Sequence, residues 1–108
     1  MLPTMSEIEI LSQAHDEASL ACDEAREEYI VWDRAEHLIV ELAGGLIPLI
    51  NTFTAEQYDA YEVVESRVRA SLARYIELNE KRHVAFLAYY KARYGEDLDA
   101  PKDAVGPA

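Results

Sequence analysis

The stretch "LAGGLIPLINTFTAEQ", residues 42–57, decides the fold. Its paired glycines stop whatever helix precedes them, because glycine enters the left-handed conformation that closes a helix at no steric cost. Its end, Thr54 followed three residues later by Gln57, is a capping box, with Phe53 and Tyr58 at the staple positions around it. A helix therefore ends at about residue 43 and another begins at 54. Between them lies an uncharged, apolar elbow, residues 44–53, in which Pro48 is expected to prevent a regular helix.

Outward from the elbow both flanks read as long helices. No glycine or proline interrupts residues 6–43, and Ser6 with Glu9 forms a capping box at the start, with Met5 and Ile10 as its staple. The expected seam is Leu11, Ala14, Ala18, Ala21, Ala25, Trp32, Ala35, Ile39 and Leu42, spaced alternately by three and four. Glu28 interrupts it. On the second helix, residues 54–94, the seam reads Tyr61, Val64, Val68, Ser71, Tyr75, Leu78, Ala85 and Tyr89. A second stripe of Leu72, Ile76, His83, Leu87, Tyr90 and Tyr94 widens the apolar face. Gly95 closes the helix, and residues 95–108 have the composition of a flexible tail.

Two helices of nearly equal length, each roughly 55–60 Å long, joined by a short connection predict an all-α antiparallel two-helix hairpin. Two helices cannot enclose a core, so the expectation is a homo-oligomer: a dimer forming a four-helix bundle, or a coiled-coil-like assembly. The alternative is a monomer in which residues 46–51 fold back as a third short helix.

The 108 residues suit one domain, and half of them are apolar, which excludes a disordered chain. The net charge of −11 disfavours direct binding to nucleic acid or an anionic membrane, and favours basic protein partners or cations. Residues 1–43 carry 11 acids against two bases, whereas residues 44–108 carry 10 against eight. The single cysteine, Cys22, precedes two acids that oppose thiolate formation, so no nucleophile is expected there. The opening "MLPTMSEIEI" lacks the basic start and apolar stretch of a secretory signal, and no run has the length of a membrane span. The expected compartment is the cytoplasm, or the host cytoplasm for a viral protein.

The acids of the first helix recur as pairs: Asp16 and Glu17, Asp23 and Glu24, Glu27 and Glu28. Seven-residue spacing sets the first two pairs on one side of the helix. A rigid acidic rod of this kind can dock on a basic surface that otherwise holds phosphates. In size, charge and helicity the chain looks like phage-encoded inhibitors, anti-CRISPR proteins among them, a resemblance that carries no residue motif. The partner-binding residues predicted are these six acids with Leu46, Ile47, Leu49 and Ile50 of the elbow. They imply a non-enzymatic protein that self-associates and captures a macromolecule, with no cofactor.

A second reading starts from Glu80 and His83. Glu-x-x-His sets both side chains on one helical face, as in ferritin-like di-iron proteins. With Glu17 from the facing helix, two copies would assemble a carboxylate–histidine metal site at a dimer interface, resembling the half-bundle ferritins. His37 with Glu36 and Glu41, and His15 with Asp16, are surface pairs of lesser promise. No nucleophile elbow and no phosphate-binding glycine loop occurs. Of seven tyrosines, Tyr61, Tyr75 and Tyr89 recur every 14 residues, which suits either an interface or the space left by the first helix's alanines.

Overall fold

The computed structural model describes residues 5–95, with side chains from residue 6 onward. The fold is all-helical, and no strand occurs among the described residues. Helix α1 spans Met5–Leu42, α2 Leu46–Thr52 and α3 Ala55–Tyr94. The molecule is extended, 66 Å long and 16 Å thin, a single layer of helices. Its radius of gyration is 21.7 Å, against about 13 Å for a compact chain of this length.

The helix ends follow local chemistry. Gly44 donates to the carbonyl of Glu41 and Gly45 to that of Val40, at 3.0 and 2.9 Å, a Schellman closure of α1. Both glycines have positive φ, 90° and 125°, which favours glycine over any side chain. At α3 the capping box is complete. Thr54 Oγ1 accepts from the Gln57 amide at 3.1 Å, and Gln57 Oε1 accepts from the Thr54 amide at 2.9 Å. Gly95 closes α3 at φ 70°. At the other end α1 is already helical at Met5, so Ser6 lies inside the first turn and does not cap it. The residue that would cap α1, the Met5 staple and the tail from residue 96 lie outside what is described.

The elbow differs from the main expectation. Pro48 does not exclude a helix: α2 runs through it, close to the short helix over residues 46–51 of the alternative. Pro48 is the third residue of α2, where its missing N–H has no helical acceptor to lose and its φ suits the first turn. Leu49 donates to Gly45 at 3.1 Å, and Phe53 to Leu49 at 3.0 Å, which closes α2.

Helices α1 and α3 pack along one another. His15 sits beside Phe86 and Tyr89, with ring centroids 5.6 and 6.5 Å away. Cys22 Sγ lies 3.8 Å from Asn79, and Arg67 stands 5.8 Å over the Trp32 ring. As numbers rise along α1 they fall along α3, so the two run antiparallel. Among the buried and half-buried positions of α1 runs the series Ile8, Leu11, His15, Ala18, Cys22, Ala25, Tyr29, Trp32, Glu36 and Ile39, with Ser12, Ser19, Ala21, Ile30, Asp33, Ala35 and Val40 half-buried on its flanks. The series is an unbroken three-four alternation, positions a and d of a heptad. It corrects the expected seam, in which Ala14 and Leu42 prove exposed. The inner positions hold His15, Cys22, Tyr29 and Glu36, which a search for aliphatic letters passes over.

On α3 the seam is Tyr61, Val64, Val68, Ser71, Tyr75, Leu78, Arg82, Ala85, Tyr89 and Ala92, all buried or half-buried. The eight expected members lie there. The second stripe joins the core only in part: Leu72, Ile76, His83 and Tyr94 are exposed, whereas Leu87 and Tyr90 are half-buried, with the Tyr90 ring 5.9 Å from that of Phe86. The buried Ser71 hydroxyl donates to the Val68 carbonyl at 3.0 Å, so it needs no partner across the seam.

Candidate functional site

With a and d in the seam, the layer has two faces. One is built from heptad positions e and b of both helices, the other from g and c, because antiparallel helices share like flanks. The e/b face is the better sealed. Ser12, Ser19, Asp33 and Val40 of α1, and Glu65, Asn79 and Phe86 of α3, are half-buried there. On this face an open groove of about 440 Å³ is lined by His15, Ser19, Asn79, Arg82, His83 and Phe86. Arg82 Nη2 donates to the Asn79 side-chain oxygen, and His15 Nε2 lies 3.5 Å from Ser19 Oγ. The groove combines a guanidinium, two imidazoles and an aromatic edge. Its lining comes from two segments, 15–19 and 79–86, at least 60 residues apart in sequence, and carries no local motif.

The g/c face is open. Ile10, Val31 and Leu38 of α1, with Val63 and Val84 of α3, occupy c positions and are exposed, and Leu42 at g is 80 % exposed. The acids of α1 divide between faces, because consecutive residues are about 100° apart on a helix. Glu17, Glu24 and Glu28 fall on the g/c side. Asp16 and Asp23 fall on b, and Glu27 on the outer ridge. All six are exposed. Asp16 Oδ1 lies 4.0 Å from His15 Nδ1, and Glu17 accepts from Gln13 at 3.4 Å. Asp23, Glu24, Glu27 and Glu28 make no ion pair within the described residues.

The elbow residues also divide. Leu46, Ile47 and Ile50 are exposed, Ile47 to 73 %, whereas Leu49 is wholly buried within its own chain. Leu49 is therefore a core residue and not available to a partner, a correction to its expected role. It points inward because α2 is a helix with one inner face.

Glu17 and His83 stand on opposite faces of the layer, and Glu80 lies on the outer ridge of α3; all three are exposed. Glu80 and His83 thus face solvent instead of the core. Among the described residues no three histidine, cysteine or acidic side chains come together in a metal-binding group.

Tyr61 and His37 are both shifted from their ordinary values. Burial raises the Tyr61 phenol to about 12, helped by its hydrogen bond with Glu65 and the charges of Glu65 and Glu36. His37 Nδ1 donates to the Asp33 carbonyl at 2.8 Å, and this bond, with the Asp33 charge, raises the imidazole above its ordinary value. No helix among the described residues is long and apolar enough to cross a membrane.

No known protein family, curated protein or solved structure matches this chain.

Proposed function

We propose that this chain is a non-catalytic interaction protein: an antiparallel helical hairpin that self-associates into a bundle and captures a macromolecular partner with a basic surface. The observation that carries the reading is the imbalance between core and surface. Among the described residues the buried apolar set is Cys22, Ala25, Leu49 and Tyr61, while thirteen large apolar side chains are exposed. Exposed apolar area on this scale belongs to proteins whose surface is covered by association. A two-helix layer leaves both of its faces to solvent, and a second layer supplies the missing core.

The partner-binding surface of this reading is the part of α1 that carries Asp16, Asp23 and Glu27, together with the apolar tip Leu46, Ile47 and Ile50. Supporting it are the eleven acids against two bases in residues 1–43 and the absence of ion pairs at Asp23 and Glu27 among the described residues. Unpaired carboxylates on a rigid helix steer and orient a basic partner without a large reorganisation. In this it works as the phage-encoded inhibitors it resembles in size and charge.

The test is capture from lysate by the wild type and by a variant carrying Asp16→Lys, Asp23→Lys and Glu27→Lys. The reading expects a protein held by the wild type, released by high salt and lost by the variant, with helicity unchanged in both. Retention by the variant at wild-type level would contradict the assignment of this surface.

A further inference from the structure

We infer that the g/c face is the dimer interface and that its charges select one symmetry, in which α1 of each protomer lies over α3 of the other. The inference rests on the self-association proposed above and adds which surface is used and in what orientation. On this face α1 presents Glu17, Glu24 and Glu28, while α3 presents Arg67, Arg74 and Lys81 at three successive g positions, with Glu77 and Lys91 at c, so that α1 is net acidic and α3 net basic. All eight are exposed. Arg67 is engaged with Trp32 of its own chain, and Lys81 with Glu77 at 3.4 Å on the same helix. Arg74 makes no ion pair within the described residues.

Two such faces meet in one of two isologous ways. With a two-fold axis across the helices, α1 covers the partner's α1 and α3 its α3. Acids then oppose acids and bases oppose bases. With the axis along the helices, α1 covers the partner's α3 and every neighbouring pair is antiparallel. The register is the one already seen between α1 and α3 within a chain, where residues 15, 22 and 32 lie beside 86, 79 and 67. Carried across the interface it brings Glu17 near Lys81, and Glu24 and Glu28 to either side of Arg74, while Glu24 also meets Glu77, which is engaged with Lys81 at 3.4 Å. It also brings Leu38 opposite Val63 and Val31 opposite Ala70, and sets Val84 beside Glu17. Opposite charges outnumber like ones on this face, and apolar meets apolar in the half nearer the elbow.

The area is sufficient. From Ile10 to Leu42 the face runs for about 50 Å, and two helices side by side are about 20 Å broad. That covers roughly 1,000 Å² on each protomer and roughly 2,000 Å² in all, which is within the range of obligate dimers. The occupant is a second copy of this chain, because only that copy carries the complementary charges in matching register.

The experiment is the dimer dissociation constant by sedimentation equilibrium, with helicity followed by circular dichroism, for the wild type and three variants. Glu17→Gln, Glu24→Gln and Glu28→Gln together remove three pairs on each of the two symmetry-related sides. The constant is expected to rise about twentyfold at low salt. Leu38→Glu puts a charge among the apolar side chains at the elbow end of the face and is expected to abolish the dimer. Ile76→Glu, on the other face, is expected to leave it within threefold. A constant that falls on neutralising the glutamates would establish the like-over-like arrangement and overturn the inference, and one that stays within threefold would overturn the charge argument. Dissociation by Ile76→Glu with Leu38→Glu still dimeric would move the interface to the e/b face. In each of those cases self-association itself stands; a monomeric wild type would overturn both readings.

Discussion

Replacing Leu49 by Ala tests whether the elbow is part of the fold or only a connection. Leu49 is wholly buried, and its amide and carbonyl hold the two ends of α2 through Gly45 and Phe53. The substitution removes three carbon centres, at about 0.8 kcal/mol each, and leaves a cavity that a seven-residue helix wedged at the turn cannot fully close. The expected cost is about 3 kcal/mol, a large share of the stability of a small domain. In thermal unfolding this is a fall of more than about 10 °C in Tm. Ile47→Ala is the control, two residues away and 73 % exposed, for which the cost is expected to stay below about 0.5 kcal/mol. Both are read from urea unfolding by circular dichroism at one fixed protein concentration, since an associating chain gains apparent stability with concentration. Equal costs at the two positions would refute the inward orientation of Leu49 and the helical elbow with it.

Three further outcomes follow from local chemistry. Thr54→Ala removes the side-chain acceptor for the Gln57 amide and should cost about 1 kcal/mol, measured by the same unfolding curve, while Thr54→Ser should recover most of it. Tyr61 has a folded value raised to about 12, so its contribution is complete below pH 10 and is lost as pH rises towards 12. Tyr61→Phe should flatten that alkaline loss, as followed by unfolding at several pH values. His37 is raised in the folded chain, so its small contribution is present below its ordinary value and declines as pH rises through the folded one. Its NMR titration should fall towards the ordinary value in Asp33→Asn, which removes the side-chain charge while keeping the backbone carbonyl.

Much of this architecture is legible in the sequence, and the exceptions have physical causes. The α3 seam is readable because its a and d positions hold mostly apolar residues and the Thr54 cap fixes where counting begins. The α1 seam is misread because four of its inner positions are His15, Cys22, Tyr29 and Glu36, whereas alanines also occupy outer positions such as Ala14. An alanine is as acceptable on a helix surface as in a tight seam, so it carries little positional information. Helix α2 is legible only as the alternative of a short helix over residues 46–51, because Pro48 argues against a helix although it breaks one only beyond its first turn. The groove of His15, Arg82 and Phe86, and the split of the acids between faces, appear only once the register of α1 on α3 is known. A one-step error in the seam rotates every outward residue by about 100°.

The division of the acids gives the surface of α1 two roles. Glu17, Glu24 and Glu28 belong with the open apolar face, and Asp16, Asp23 and Glu27 remain outside once that face is covered. Substitutions in the first group should alter association, and those in the second should alter partner capture alone.

The most direct test of the account is the mass of the wild-type protein in solution. Sedimentation velocity from nanomolar to micromolar concentration is expected to show a single reversible transition from the 12.2 kDa chain to a species of twice that mass. A species that stays at 12.2 kDa through the micromolar range, with helicity intact, would contradict it.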